Sequence, residues 1–276
     1  MRKARVLFVS QEITPYLDET HIGKIARRLP QAIQEKGKEI RTFMPKYGNI
    51  NERRHQLHEV IRLSGMNIVI NNADHPLIIK VASIPTARMQ VYFIDNDDYF
   101  QRKSVLADKA TGKAFDDNDE RSVFFNRGVI ETVKKLGWAP DVIHCHGWFT
   151  GLMPLYIKKA FAEDPLFADT KIIFTIYDEE FTKSLNKKIV DKAIIDGVNK
   201  KDLKHIEDAS YVNLMKLAID FADGVAYGSE KINEDIIKYA KKSGKPVLEY
   251  KGEAEYADAY NEFYDMILES TEVLAD

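Results

Sequence analysis

The chain has 276 residues, 45% of them hydrophobic, which supplies a sizeable core and excludes a chain disordered by composition. Its 40 Lys+Arg and 43 Asp+Glu leave a net charge of −3, so no basic excess points to nucleic acid or an anionic membrane surface. The single cysteine, Cys145, excludes an intramolecular disulfide and fits a reducing cytoplasm.

The N-terminus is basic, then apolar over Val6-Leu7-Phe8-Val9, and the run stops at Ser10-Gln11-Glu12. That is too short for a signal peptide and reads as a buried first strand over 5–10. Residues 22–36 carry a helical pattern closed by Gly37, and 39–43 form a second strand ending near Pro45, a βαβ opening with a right-handed parallel crossover. Between 56 and 95, β-rich runs at 56–63, 66–71, 77–84 and 89–94 are separated by turn signals and read as hairpins inserted into a doubly wound core. A polar loop spans roughly 95–115. Residues 117–136 read as a long amphipathic helix stopped at Gly137. A strand follows at 141–146, a helix at 148–161 with Pro154 in its first turns, and a strand at 171–177. The stretch 178–209 is charged and weakly patterned, most simply a solvated surface. Then come a helix at 210–221, a short strand at 224–227, a helix at 229–242, a last strand near 246–250 and a terminal helix at 253–274. No apolar stretch approaches a membrane span. The expected architecture is one α/β domain over 1–276, a doubly wound and mainly parallel sheet with a β-hairpin insertion at about 56–95. Residues 5–10, 141–146 and 171–177 are expected as adjacent central strands, because their unbroken apolar character fits burial on both faces.

Chemistry concentrates after the central strands. Alternation puts His144 and His146 on one strand face and Cys145 on the other, and ligands of parallel sheets gather beyond the carboxyl ends of strands. The pair reads, in falling order of weight, as structural, as part of a sugar site, or as metal ligands; no third Asp, Glu or Cys ligand is near in sequence. No Gly-x-Gly-x-x-Gly follows the first strand, Thr111-Gly112-Lys113 lacks the spacing of a P-loop, and no Gly-x-Ser-x-Gly elbow is present. No cofactor or metal is expected.

Several motifs together resemble the N-terminal domain of bacterial glycogen synthases and plant starch synthases. They are Val9-Ser10-Gln11-Glu12-Ile13-Thr14-Pro15, Met44-Pro45-Lys46-Tyr47, Asn96-Asp97-Asp98-Tyr99-Phe100-Gln101-Arg102, Asp117-Asn118-Asp119-Glu120-Arg121, Gly137-Trp138-Ala139-Pro140-Asp141-Val142, His144-Cys145-His146-Gly147-Trp148-Phe149-Thr150 and Ala222-Asp223-Gly224-Val225. The resemblance covers nearly the whole chain. It implies the Rossmann-like, acceptor-side half of a GT-B fold, and retaining transfer of glucose from a nucleotide sugar to α-1,4-glucan. In that family a second Rossmann-like domain carries most of the nucleotide site and a catalytic glutamate. This chain is expected to end where the first domain finishes.

The departures fall on the chemistry. Where the family has Lys-Thr-Gly-Gly-Leu-Ala-Asp, this chain has Asp18-Glu19-Thr20-His21-Ile22-Gly23-Lys24. A Gly-Gly turn lets backbone amides approach a phosphate and a Lys adds charge to the leaving diphosphate; Asp18 repels it, and side chains at Thr20 and His21 hinder the approach. In the family's His-Ala-His-Asp-Trp-His-Thr the Asp is replaced by Gly147 and the later His by Phe149, while the His and Asn of Phe-Thr-Ile-His-Asn are replaced by Tyr177 and Asp178. No catalytic residue is assigned. A substrate-binding set of Glu12, His21, Lys24, His146, Trp148, Tyr177 and Asp178 is expected around the surviving cleft, with Trp148 and Tyr177 offering flat faces to sugar rings, although core packing competes for Trp148. The expected partners are an α-glucan or maltooligosaccharide, a nucleotide sugar only weakly or with help, and either a second copy or a separate second GT-B domain. The alternative is a non-catalytic glucan-binding or regulatory module.

Overall fold

The computed structural model describes residues 2–272, with the side chains of residues 2–269. Among them the strands are β1 (Arg5–Ser10), β2 (Glu39–Pro45), β3 (His58–Glu59), β4 (Met66–Ile70), β5 (Ala73–Ile84), β6 (Met89–Asp95), β7 (Val142–His146), β8 (Lys171–Ile176), β9 (Gly224–Tyr227) and β10 (Val247–Leu248). The helices are α1 (His21–Glu35), α2 (Glu52–His55), α3 (Asp97–Phe100), α4 (Asn118–Leu136), α5 (Met153–Lys159), α6 (Ile189–Ala193), α7 (Tyr211–Phe221), α8 (Glu234–Lys242) and α9 (Tyr256–Glu272).

They build one sheet in the order β10-β9-β8-β7-β1-β2-β6-β5-β3, with β4 hydrogen-bonded to β5. From β10 to β6 every neighbour is parallel; β5 runs antiparallel to β6, β3 and β4. The central trio is as the apolar runs require: Val9 lies beside Cys145, and Cys145 beside Phe174. One face is covered by α9 and α1, which bury Leu29, Ile33, Tyr260, Phe263 and Tyr264 against Val6, Phe8, Val142 and Ile173. The other face packs on α4, α5 and α7 through Val123, Phe124, Leu155 and Leu217. Each fully buried Leu or Phe contributes about 1.5–3 kcal/mol, so both faces hold the sheet.

Local signals set the element ends. Thr20 caps α1, accepting from the Gly23 N–H at 3.0 Å, and Gly137 closes α4 at φ 59°, a left-handed turn that favours glycine. Elsewhere the chain departs from the sequence pattern. The run at 56–63 yields only the two-residue β3, because Gln56 ends α2 in the left-handed region and residues 61–63 turn. The single helix expected at 148–161 splits into a 3-10 turn, Trp148–Thr150, and α5; Pro154 lacks an N–H and is tolerated only in the opening turn of α5. Inside the expected loop at 95–115, Asn96 caps the short α3, which buries Tyr99 and Phe100. The segment 178–209 is not a plain solvated surface. Ile189, Leu203 and Ile206 are buried, and the buried Lys192 reaches Asp119 at 2.7 Å and Glu120 at 2.9 Å on α4. Asn233 caps α8 at its first turn, so that helix starts later than expected. The terminal helix begins at Tyr256, and its expected end at Leu274 lies outside the described residues.

Candidate functional site

The strand order reverses between β1 and β7: the chain builds outward to β2 and β6 on one side and to β8 and β9 on the other. At such a reversal the connections leave in opposite directions and open a crevice beyond the carboxyl ends of the strands. Here β1 leads into Gln11 and Glu12, β7 into Gly147 and Trp148, β8 into Tyr177, Asp178 and Glu179, and β9 into Gly228. Thr20 and His21 at the start of α1 face the same edge.

The chain's own side chains cross this crevice. His21 Nε2 donates to the Gly228 carbonyl at 2.6 Å, joining α1 to the end of β9. Tyr177 is 2% exposed, and its hydroxyl shares a 2.7 Å hydrogen bond with His146 Nδ1. Its ring stands edge-on to His21, with centroids 6.0 Å apart. A Cβ on Gly228 would sit 2.3 Å from Tyr177 Cε1, so only glycine fits beside that ring. Thr20 Oγ1 caps α1 and also donates to Glu12 Oε2 at 2.5 Å. Burial raises the Glu12 carboxyl above its usual range, and the Thr20 bond opposes it.

Behind the crevice lies a neutral histidine network. The His144 and His146 rings are 3.9 Å apart. His144 shares 2.6 Å hydrogen bonds with Tyr264 of α9 and with Thr175 of β8. Complete burial pushes His146 down to about 3; it also pushes His144 well below its ordinary value, with His146 adding to the effect. His146 Nε2 is buried without a hydrogen-bond partner. The pair faces α9 and Cys145 packs on the opposite side, as strand alternation requires. Among the described residues no group of three or more His, Cys, Asp or Glu side chains is arranged to hold a metal ion.

Two site residues escaped the sequence reading. Glu179 Oε1 accepts from the Trp148 N–H at 2.7 Å, and Glu179 Oε2 accepts from Gln11 Nε2 at 2.6 Å. Gln11 Oε1 in turn accepts from the Phe149 N–H at 3.2 Å. Burial pushes the Glu179 carboxyl up to about 8; the two hydrogen bonds oppose the shift and the charge of Glu12 adds to it. The available signal was position: Glu179 follows β8 at the carboxyl edge, next to Asp178, in a stretch set aside as surface.

The structure thus gathers Glu12, His21, His146, Trp148 and Tyr177 around one crevice. It does not bring in the other two expected residues in the same way. Lys24 pairs with Glu19 at 3.2 Å, and it lines a narrow slot beside α1 with His21, Arg28, Tyr250 and Tyr256. Asp178 is exposed, and its backbone N–H donates to Ser229 Oγ at 3.0 Å. Trp148 is 5% exposed, edge-on to Phe149 and Phe181, so neither it nor Tyr177 presents a free flat face in this conformation.

Residues 5–249 match the family described as starch synthase catalytic domain. The chain belongs to that family. Similar proteins include the glycogen synthase of Chlorobium limicola, 34% identical over 236 residues covering 86% of this chain and 48% of the relative. The glycogen synthase of Chlorobium phaeobacteroides is 39% identical over 177 residues, covering 64% of this chain and 36% of the relative. The chain therefore spans about half the length of the first of these curated relatives and less of the second. Among solved structures, the catalytic domain of Starch Synthase IV from Arabidopsis thaliana bound to ADP and acarbose superposes with a TM-score of 0.74 at 19% identity, over 90% of this chain and 51% of that one. At that identity the likeness shows the fold: a Rossmann-like half of the GT-B starch synthase architecture. No helix among the described residues is long and apolar enough to cross a membrane.

Proposed function

We propose that this starch-synthase-family domain acts in α-1,4-glucan metabolism on the glucan side, and that by itself it does not turn over a nucleotide sugar. One observation carries this reading: at the β1–β7 reversal His21 bridges to Gly228 and Tyr177 packs on His146, where the family motifs have a glycine and a different His. Charge supports it. Asp18 and Asp178 are exposed, Glu12 and Glu179 are partly buried, and Lys24 pairs with Glu19. A nucleoside diphosphate meets acids where it needs cations, whereas a neutral sugar chain does not. The same balance argues against nucleic acid as a ligand. The buried, unpaired Cys145 supports a cytoplasmic protein. The single sheet supports one domain.

Calorimetry with ADP-glucose and UDP-glucose, beside a glucosyl-transfer assay on glycogen, tests the reading. Heat consistent with millimolar or no binding, and no transfer, is expected; micromolar binding of either donor would refute it. A second reading, a transferase completed by a separately supplied second GT-B domain or a second copy, draws on the half-length match to the glycogen synthases. Transfer activity appearing only with an added second domain favours that reading.

A further inference from the structure

Gly147 stands where the resembled motif carries an Asp, and the space its side chain would fill is occupied. A Cβ built on Gly147 would lie 2.4 Å from Gln11 Oε1 and 3.0 Å from Glu179 Oε1. Gly147 also has φ 85° and ψ 163°, backbone that side-chain-bearing residues rarely adopt. A side chain at 147 and the present placement of Gln11 and Glu179 therefore exclude each other. Glu179 is fixed by two donors from different strand ends, Gln11 after β1 and the Trp148 amide after β7. The residue is partly exposed.

We propose that Glu179, seated in the space beside Gly147, is the carboxyl group with which this crevice grips the hydroxyls of an α-glucan chain. The inference rests on the glucan-side reading above and names the group that makes the contact. Each carboxylate oxygen accepts one hydrogen bond from the protein and keeps acceptor capacity for a sugar hydroxyl. With its titration moved to about 8, Glu179 also carries a proton near neutral pH and so donates as well as accepts. A neutral polyol tolerates that change of state; a phosphate opposite the ionised form does not. No cation lies among the hydrogen-bond partners of Glu179, so its charge is not consumed by a structural ion pair.

The Trp148 backbone amide, bonded to Glu179 Oε1, is a local reporter. Maltotriose is titrated into the full chain by amide NMR, alongside Glu179→Gln, Glu179→Leu and the exposed control Lys238→Ala. Saturable movement of the Trp148 signal is expected in the parent and the control. Binding should weaken by about tenfold in Glu179→Gln, on the order of one good hydrogen bond, and vanish in Glu179→Leu. The dispersed methyl spectrum of each variant verifies folding, and Glu179→Gln keeps the shape if Glu179→Leu does not fold. Equal binding by the parent and both Glu179 variants overturns the inference and leaves the glucan reading standing. No movement of any signal in the parent at millimolar maltotriose overturns both.

Discussion

At the carboxyl ends of β2 and β6, Lys46, Glu52, Lys80 and Asp95 gather; at the ends of β1, β7 and β8, Glu12 and Glu179 gather with His146. The first group alternates in sign. Glu52 Oε1 meets Lys46 Nζ at 2.6 Å and Lys80 Nζ at 2.8 Å, and Lys80 meets Asp95 at 3.0 Å. Burial alone would raise the Glu52 carboxyl, yet its two lysines leave it below the ordinary value. The second group has no cation. Its hydrogen bonds come from Thr20, Gln11 and a backbone amide, and Glu179 is pushed up to about 8. Both lie on one edge of one sheet. Depth separates them in part, since the Glu52 side chain is 38% exposed, while burial raises Asp95 as it raises Glu12. Charge compensation separates them further: the lysine group is closed on itself, and the carboxyl group is left able to change state or bind.

The largest expected effect tests the closed group. Lys80→Met removes the cation shared by Glu52 and the 1% exposed Asp95. Leaving a buried carboxylate with a broken pair costs about 3–5 kcal/mol, and urea unfolding should read a loss near the lower end because Lys46 remains. A loss under about 1 kcal/mol would mean that this network is as solvated as a surface pair and would dissolve the contrast.

Acid comes next. His146 titrates at about 3 when folded against an ordinary 6.5, so the unfolded chain binds the extra proton in that interval. Stability is complete above pH 6.5 and falls as pH drops toward 3, by about 1.4 kcal/mol per unit from this residue. Between about pH 7 and about pH 5 His146 by itself should withdraw about 2 kcal/mol, with His144 acting in the same direction and Glu179 in the opposite one. The test is therefore the difference in thermal unfolding: His146→Gln should lose about 2 kcal/mol less than the parent over that change. A His146→Gln variant with the parent's pH response would place a proton on His146 in the folded state and reopen its role as a charged site.

How far the sequence reveals these two regions follows from their physics. The central trio of strands was legible because burial on both faces demands continuous apolar runs, as in Val6-Leu7-Phe8-Val9. The histidine geometry was legible because strand alternation is rigid. Glu179 was not, because nothing local marks a carboxylate whose donors are Gln11, 168 residues away, and Trp148, 31 residues away, brought together by strand order alone. The Tyr177 plug was half legible: the replacement showed in the motif, but its burial depends on Gly228, on the neighbouring strand. The helix break near Gly151 was missed because a 3-10 turn and an α-helix share the same apolar spacing over so few residues.

Alkali gives a smaller test of the open group. Glu179 titrates at about 8 folded against an ordinary 4.5, so the folded chain holds the extra proton in that interval. Its contribution is fully present below pH 4.5 and is lost as pH rises through about 8. Raising pH from about 6.5 to about 7.5 should cost about 1.4 kcal/mol, less where solvent reaches the carboxyl, and Glu179→Gln should abolish that slope. A variant with the parent's slope would show that another group titrates there.

The smallest effect sharpens the boundary between helix and crevice. Thr20 Oγ1 serves two functions, accepting from the Gly23 amide and donating to Glu12. Thr20→Ala removes a side-chain cap at the start of α1, worth about 1 kcal/mol, and leaves Glu12 without its one side-chain donor. Thr20→Ser keeps both bonds and should restore nearly all of the loss. The two functions separate by pH. The cap term is independent of pH, whereas the Glu12 term grows as its carboxylate ionises, because the lost bond favoured the charged form. The Thr20→Ala deficit should therefore be larger near neutral pH than in mild acid. A deficit flat across that range would assign Thr20 to the helix alone and take Glu12 out of the crevice's hydrogen-bonded wall.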